Sequence, residues 1–262
     1  MPRNRRRNQG FEMGVILLLM ELTNVGFQNI PIVTLSTIVG QTLLYMGIFK
    51  PPWRKWDICI SAESILKEHD YKRLFVSPVE HGDDLHLYYN MISFLVKGRS
   101  LETRYGSPNF ALLLAILTTL TSFMYVGLGR LCMEVFQDQY YMKSCAIGFS
   151  GVIFALKVVT SKEEPQGMSN IGGVLLPVRY AAWAELVLIH ILVPRASFMG
   201  HLAGILAGLL YTSTPLGDII DNFLPTITAE TMDIECNRYL ESGGHGNEVC
   251  AERASCNEEK QD

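Results

Sequence analysis

Long stretches without charged residues alternate with polar segments along this 262-residue chain. No Asp, Glu, Lys or Arg occurs in the runs 22–49, 105–129, 144–156 and 196–217. A helix needs roughly 20 mainly apolar residues to cross the hydrocarbon core of a bilayer. The pattern therefore predicts six membrane-spanning helices, over residues 30–49, 84–103, 108–131, 144–160, 177–193 and 197–213.

Composition and charge support this fold class, an all-α membrane protein. Only 18% of the residues are charged and 48% are hydrophobic, whereas about a quarter of the residues of a soluble domain are charged. The net charge of −4 is uneven, because residues 211–262 carry eleven acidic and three basic residues and the rest of the chain is therefore +4. An acidic, polar end indicates a solvated tail and argues against nucleic acid as a partner.

The charge pattern also predicts how the chain is organised across the membrane. Four arginines between residues 3 and 7 favour a cytosolic N-terminus. An amphipathic or membrane-skimming helix is expected over residues 12–27, and six crossings would return the C-terminus to the cytosol. We expect a basic N-terminal region with that helix (1–29), a membrane-embedded domain (30–213) and an acidic, disordered cytosolic tail (214–262).

The six cysteines do not form a recognisable metal-binding pattern. They stand at positions 59, 132, 145, 236, 250 and 256. Cys145 begins an apolar run and is expected to be a small buried residue. Cys59 and Cys132 fall in predicted loops on one side of the membrane, which makes a disulfide between them possible. Because connectivity does not follow from sequence, this pairing is only a hypothesis.

Ser150, in the sequence Gly148-Phe149-Ser150-Gly151, is a candidate nucleophile within an apolar run. A serine hydroxyl attacks efficiently only when a nearby base accepts its proton. The small residues Gly148 and Gly151 would leave the hydroxyl accessible at the start of a helix. The alternative is a serine that only helps helices to pack, as small residues do in membranes.

His201 is the candidate base, in the last predicted span. Gly204 and Gly208 follow it on the same helical face, and glycines permit close approach of a neighbouring helix. Phe154 lies four residues after Ser150 on one face and could pack against the imidazole. The alternative is a histidine that is hydrogen-bonded between helices without any chemical role.

His86 and Asn90 are four positions apart in the chain and therefore share one helical face. Acyl transfer requires donors directed at a developing oxyanion, and these two side chains with the Ser150 backbone N–H could supply them. The alternative is a polar pair that lines a water path or bridges helices. A histidine without partner ligands is a poor metal site, so neither metal nor another cofactor is expected.

Taken together, Gly148-x-Ser150-Gly151, His201-x-x-Gly204-x-x-x-Gly208 and His86-x-x-x-Asn90 resemble the motifs of rhomboid proteases. Arg73 and the sequence Glu102-x-x-x-Gly106 are further similarities. The resemblance implies a rhomboid-like bundle of six transmembrane helices. It also implies a Ser150–His201 dyad, an oxyanion site of His86, Asn90 and the Ser150 N–H, and supporting roles for Gly148, Gly151, Phe154, Gly204 and Gly208.

The resemblance further implies an intramembrane serine protease that cleaves transmembrane or membrane-proximal segments of membrane proteins. The branch of the family with the most similar motifs implies a place in protein quality control at the endoplasmic reticulum, with the lipid bilayer and quality-control machinery as partners. Two other classes remain open, a non-proteolytic membrane chaperone or dislocation factor and a transporter or channel. Glu185 could sense a charged substrate or pair with Arg179 or Lys157.

Overall fold

The structure, a computed structural model, describes residues 13–163, 165–193 and 196–214. The predictions for residues 1–12 and for the acidic tail from residue 215 onward lie outside this part of the chain. In order, the elements are α1 (Met13–Val25), α2 (Ile32–Tyr45), α3 (Ala62–Leu66), α4 (Arg73–Val76), α5 (Asp84–Tyr105), α6 (Ser107–Phe136), α7 (Tyr140–Lys143), α8 (Ser150–Glu163), β1 (Met168–Ile171), β2 (Val174–Pro177), α9 (Val178–Leu192) and α10 (Phe198–Ser213).

A helix stands at each of the six predicted spans, namely α2, α5, α6, α8, α9 and α10. Among the described helices, only α6, with 30 residues, is both long and apolar enough to cross a membrane by itself. α2 and α10 are apolar but have 14 and 16 residues. At about 1.5 Å per residue they fall short of a hydrocarbon core of roughly 30 Å. The count of six crossings therefore stays a prediction.

α8 lies at the centre of the fold, since every residue from 151 to 160 is buried. Within this range the sequence is apolar apart from Lys157 and Thr160, which is typical of a helix surrounded by other helices. Among the helices that pack against α8, α10 makes the most extensive contact, and α5, α6 and α9 make smaller ones. Side chains at the first turn of α8 are therefore held by several neighbouring helices.

A buried carboxylate connects the starts of two helices. Glu102, near the end of α5, accepts hydrogen bonds from the N–H groups of Val33 and Thr34 at 2.8 and 2.7 Å. The hydroxyls of Thr34 and Ser107 also donate to it, each at 2.7 Å. Because the first N–H groups of a helix have no partner within the helix, Glu102 satisfies two of them in α2 and ties α2 and α6 to α5.

α1 lies within residues 12–27, the range predicted as an amphipathic or membrane-skimming helix. One of its sides packs against α5, with Val15, Leu18 and Leu22 buried, and the Gly14 N–H donates to Asp84 Oδ2 at 3.0 Å. The other side is also apolar, since it exposes Ile16, Leu19 and Met20. α1 is therefore an apolar helix that packs against the bundle, and it begins at the end of α5 that carries His86.

The predicted all-α class misses a β-hairpin, so the fold is mostly helical rather than purely so. β1 and β2 pair antiparallel, with Ile171 opposite Val174. Gly172 and Gly173 connect them with φ angles of 59° and 89°. A two-residue hairpin turn of this kind requires positive φ at both positions, which glycine adopts without steric cost.

The hypothesis of a Cys59–Cys132 disulfide is wrong. Cys59 is bonded to Cys145, with 5.5 Å between the two Cα atoms, while Cys132 lies within α6 as a free thiol. Cys145 is exposed rather than buried, because α8 begins only at Ser150 and the preceding residues form a surface segment. Next to the disulfide, Ile60 and Ala146 exchange two backbone hydrogen bonds of 2.9 Å each.

Candidate active site

Ser150 is the first residue of α8 and follows a sharp change in chain direction at Gly148. Gly148 has a φ of 117°, a conformation that other residues rarely adopt. Its N–H donates to the Ser77 carbonyl at 3.0 Å, which ties this segment to the loop before α5. The N–H groups of the first turn of α8 have no partners within the helix. The Ser150 N–H therefore lies beside its own hydroxyl as a possible donor to an anion.

His201 lies in the first turn of α10, where the Ser197 hydroxyl caps the helix by accepting from the Gly200 N–H at 3.1 Å. The imidazole is 5% exposed. Its Nε2 is 3.0 Å from Ser150 Oγ, within hydrogen-bond distance. The structure thus brings together the two residues that the sequence singled out, from helices that are separated by 51 positions in the chain.

Glycines allow the backbones of α8 and α10 to touch beside this pair. A Cβ added to Gly204 would overlap the carbonyl oxygen of Gly151, and one added to Gly208 would lie 2.8 Å from the Ala155 carbonyl oxygen. On α8 itself, a Cβ at Gly151 would lie 2.9 Å from the Gly200 carbonyl oxygen. A side chain at any of these positions would push the two helices apart, and with them the hydroxyl and the imidazole.

Phe154 stacks on His201, with 4.6 Å between the ring centroids and an interplanar angle of 25°. The phenyl ring is 2% exposed and packs with Val158, Leu186 and Ile205. An aromatic ring held in this way restricts rotation of the imidazole. The contact therefore favours the ring position in which Nε2 faces Ser150.

His86 and Asn90 reach the same place from α5. A Cβ added to Gly148 would lie 2.9 Å from His86 Nε2 and 3.7 Å from Asn90 Nδ2, so both side chains border the segment that leads into Ser150. Asn90 Nδ2 is buried and has no hydrogen-bond partner among the described residues. A buried donor without a partner costs free energy, so an amide in this position suits an acceptor that arrives with a substrate.

A small cavity of about 40 Å³ opens beside Ser150. Its walls include Ser77, Thr121, Tyr125 and Ser197. A water molecule needs roughly 10–15 Å³ of such space, so the cavity can hold a few waters or one small side chain. A group that occupied it would lie next to the Ser150 hydroxyl.

Comparison with known proteins supports what this geometry indicates. The sequence profile of the Rhomboid domain matches residues 68–216, which is more than half of the chain. The chain belongs to the rhomboid family. The resemblance seen in the sequence motifs is thereby confirmed, and with it the class of membrane protein. The matched range begins well after residue 30, so the predicted domain boundaries stay predictions.

Several rhomboid proteins are similar over most of the chain. Rhomboid-related protein 4 of Rattus norvegicus is 45% identical over 217 residues, which cover 83% of this chain and 68% of that protein. Rhomboid-like protein 14, mitochondrial, of Arabidopsis thaliana is 41% identical over 69% of this chain and 55% of its own length. Rhomboid-type serine protease 2 of Eremothecium gossypii is 27% identical over 55% of this chain and 53% of its own.

A loop scaffold, which we define as residues 58–61, 73–77 and 145–148, holds the start of α8 in this rhomboid fold. Besides the disulfide and the Ile60–Ala146 bridge, the Ser77 hydroxyl donates to the Ile58 carbonyl, and Arg73 Nη1 donates to the Cys59 carbonyl at 3.0 Å. Arg73 also binds Asp70 at 2.8 Å, and this hydrogen bond holds the pKa of the Asp70 carboxyl below its usual value. Sequence reasoning assigned none of these contacts.

His81 is a second residue whose position the sequence did not predict. It lies in the loop before α5 and is completely buried. Burial lowers the pKa of His81 well below its usual value. Its ring packs edge-on against His86, with 5.2 Å between centroids. A neutral imidazole at this position supports the wall of the site that carries His86.

Glu185 pairs with Lys157 rather than with Arg179, two of the alternatives left open by the sequence. The Lys157 ammonium contacts the Glu185 carboxylate from α8 to α9, with 8% and 24% of their side chains exposed. Arg179 instead lies over the ring of Tyr180, at 4.9 Å from its centroid. A charge pair inside a helical bundle of a membrane protein satisfies two groups that would otherwise be costly to bury.

Proposed function

We propose that this rhomboid protein is an intramembrane serine protease that cuts membrane proteins in or near their transmembrane segments. The observation that carries the proposal is the 3.0 Å contact between Ser150 Oγ and His201 Nε2 inside the helical bundle. A hydroxyl and an imidazole at this distance form a nucleophile and a base. The unpartnered Asn90 amide next to Gly148 supplies a donor where the substrate oxygen would lie.

In the proposed reaction, Ser150 Oγ attacks the carbonyl carbon of the scissile peptide bond while His201 Nε2 accepts the hydroxyl proton. The carbonyl oxygen becomes an oxyanion, which His86, Asn90 and the Ser150 N–H stabilise. His201 then gives the proton to the leaving amine, and the C–N bond breaks. A water molecule, deprotonated by the same imidazole, hydrolyses the acyl-enzyme and restores Ser150.

The proposed substrates are helices that unwind locally. Every carbonyl of a transmembrane helix is protected by a hydrogen bond within the helix, so the scissile bond becomes accessible only where that helix is unstable. The small cavity beside Ser150 supports a preference for a small side chain next to the cleaved bond. This specificity would suit quality control of unstable membrane proteins, which we propose as the cellular role, with the lipid bilayer and quality-control machinery as partners.

The test is cleavage of a model transmembrane substrate by the purified protein in liposomes. Ser150→Ala and His201→Ala should each lower kcat at least about 1000-fold, and Asn90→Ala about 100-fold. The matched controls are Ser36→Ala and His69→Ala, since both residues are exposed and lie outside the site, and both should cut like the parent. Equal cleavage by Ser150→Ala would refute the proposal, and substrate loss without cleavage products would favour the chaperone alternative.

We further propose that the Ser150 end of the bundle faces the lumen of the endoplasmic reticulum, with both termini in the cytosol. The disulfide at that end requires an oxidising compartment, and Lys97, Arg99 and Arg104 lie toward the other end of α5, as expected for cytosolic positive charge. His69→Asn combined with Tyr71→Thr creates a glycosylation acceptor in an exposed loop at the Ser150 end. Its glycosylation would support this orientation, whereas an unmodified protein that fractionates with mitochondria would contradict it.

The Gly14–Asp84 contact places the start of α1 at the Ser150 end of the bundle, so the proposed cytosolic N-terminus needs a test of its own. α1 has only 13 residues, about 20 Å, which is too short to cross a bilayer alone. If the N-terminus is cytosolic, as proposed, an acceptor added before Met1 should stay unglycosylated. Glycosylation there would show that α1 crosses the membrane as a seventh span.

A further inference from the structure

Lys157 is a buried ammonium that the proposed reaction does not use. It lies one turn after Phe154 on α8 and about two turns after Ser150. Its side chain is 8% exposed, and the carboxylate of Glu185 on α9 neutralises it. Replacing such a pair by apolar residues of similar size often leaves stability unchanged. Stability alone therefore does not explain why the two charges are here.

The same ammonium lies 4.7 Å from the centroid of the Phe154 ring, within the range of a cation–π interaction. Phe154 in turn stacks on His201. The contacts form one continuous chain, from Glu185 to Lys157, from Lys157 to Phe154, and from Phe154 to the imidazole beside Ser150. The chain joins α9, α8 and α10, the last two of which carry the Ser150–His201 pair.

Directional contacts matter for Phe154 because its ring carries no polar group of its own. The residues packed around it, such as Val158 and Leu186, are aliphatic and restrict rotation of a ring less specifically than an ion over its face. α9 also contacts the bundle through few buried side chains, namely Ala181, Ala182 and Leu186. The ion pair with Lys157 therefore fixes both the approach of α9 and the position of the charge at the ring.

We propose that Lys157 and Glu185 are positioning residues, which hold the Phe154 ring and through it keep the His201 imidazole directed at Ser150. The inference rests on the proposed protease function. In this arrangement the Glu185 carboxylate fixes the position of the Lys157 ammonium, and the ammonium fixes the orientation of the Phe154 ring. The ring in turn fixes the orientation of the His201 imidazole. Neither charged group touches the substrate or the reacting atoms.

Two double variants separate positioning from a purely structural role. Lys157→Met with Glu185→Met removes both charges and keeps the volume, so folding should persist while the ring loses its cation. We expect kcat to fall about 3- to 30-fold, the range that corresponds to a cation–π interaction, with KM changed less than about twofold. Lys157→Glu with Glu185→Lys restores an ion pair but places a carboxylate next to the electron-rich ring face. It should keep the thermal stability of the parent without recovering kcat.

The matched control is Glu134→Gln, which breaks the exposed ion pair with Arg130 and should change neither kcat nor stability. Recovery of both stability and kcat in the charge-swapped variant would overturn the inference, because it would show that any ion pair suffices. Unchanged kcat in the double methionine variant would overturn it as well.

A measurement that needs no turnover keeps this inference separate from the proposed function. The ring current of Phe154 shifts the NMR signal of the His201 Hε1 proton, so that signal should move in both double variants and stay in place in Glu134→Gln. If the parent does not cleave but the signal moves, the protease proposal fails and the positioning chain stands. If the signal stays in place in the double variants, the positioning chain is refuted whether or not the parent cleaves.

Discussion

The backbone contact between α8 and α10 gives the sharpest prediction about the site. Gly204 and Gly208 face α8 at positions where the structure leaves no room for a methyl group. We predict that Gly204→Ala and Gly208→Ala separate the two helices and reduce activity, and that Gly204→Ala has the larger effect. Gly204 lies one turn from His201 and faces Gly151, the residue after Ser150.

The magnitude follows from the contact distances. A Cβ at position 208 would lie 2.8 Å from Val158 Cβ, whereas two carbon atoms pack best at about 3.5–4.0 Å. The helices must therefore move apart by roughly 1 Å, at a cost of about 1–3 kcal/mol. A shift of that size at position 204 would lengthen the 3.0 Å Ser150–His201 contact to about 4 Å, beyond hydrogen-bond range. Displacements of roughly 1 Å can lower rates about 100-fold.

The assay compares kcat with thermal unfolding for each variant in the same detergent. Gly127→Ala is the matched control, because Gly127 lies exposed on α6 with no atom within 4 Å of an added Cβ. The same chemical change should there leave kcat unaltered and stabilise the helix by up to about 1 kcal/mol. Labelling of Ser150 by a fluorophosphonate probe would report on the nucleophile independently of substrate entry.

A specific pattern of results would refute the reasoning. If Gly204→Ala keeps the parental kcat and probe labelling, close approach of α8 and α10 does not hold the hydroxyl and the imidazole together. Equal changes of stability in Gly204→Ala and Gly127→Ala would show that the contact between α8 and α10 does not cause the effect.

Three further predictions concern regions around the site. Glu102→Ala leaves two helix N–H groups buried without partners and should lower the free energy of unfolding by about 3–5 kcal/mol. The control, Glu63→Gln at a partly exposed ion pair, should change it by less than about 1 kcal/mol. Equal free energies of unfolding for the two variants would contradict this prediction. The pKa of His81 lies well below its usual 6.5, so below about pH 6.5 the unfolded chain binds a proton that the native state does not, and stability should fall by about 1.4 kcal/mol per pH unit. His81→Leu should remove that part of the slope of unfolding temperature against pH, and an unchanged slope would contradict the assignment. Cys145→Ser should lower the free energy of unfolding by up to about 4 kcal/mol and should reduce cleavage. Wild-type activity after full reduction of the protein would show that the loop scaffold does not need the disulfide.

The sequence predicted the main helices of the fold and the central pair of the site for simple physical reasons. Charge-free runs identify helices in a membrane protein because polar groups are costly there. A serine and a histidine within such runs are conspicuous, and glycines at i+3 and i+7 from His201 share one face. Because these signals are local or strictly periodic, a one-dimensional pattern contains them.

Contacts that depend on irregular segments could not be predicted in this way. Cys145 looked buried because it starts an apolar run, but α8 begins five residues later and leaves it exposed and within reach of Cys59. The hairpin at Gly172 was missed because four-residue strands carry too little periodicity to compete with the surrounding helical pattern. In both cases the local structure depends on the exact residue at which a helix begins or ends, and hydropathy defines these boundaries poorly.

The contacts around His201 explain how a serine–histidine pair could work without the third, acidic residue of a catalytic triad. In a triad the carboxylate orients the imidazole and stabilises its protonated form, and in the described part of the chain the structure shows no Asp or Glu hydrogen-bonded to His201. A carboxylate buried beside the imidazole would be costly among apolar helices. Stacking on Phe154 provides orientation without that cost. Since stacking contributes little charge stabilisation, proton transfer in such a dyad would depend mainly on geometry, which is why the glycine contacts of α8 and α10 are expected to matter so much.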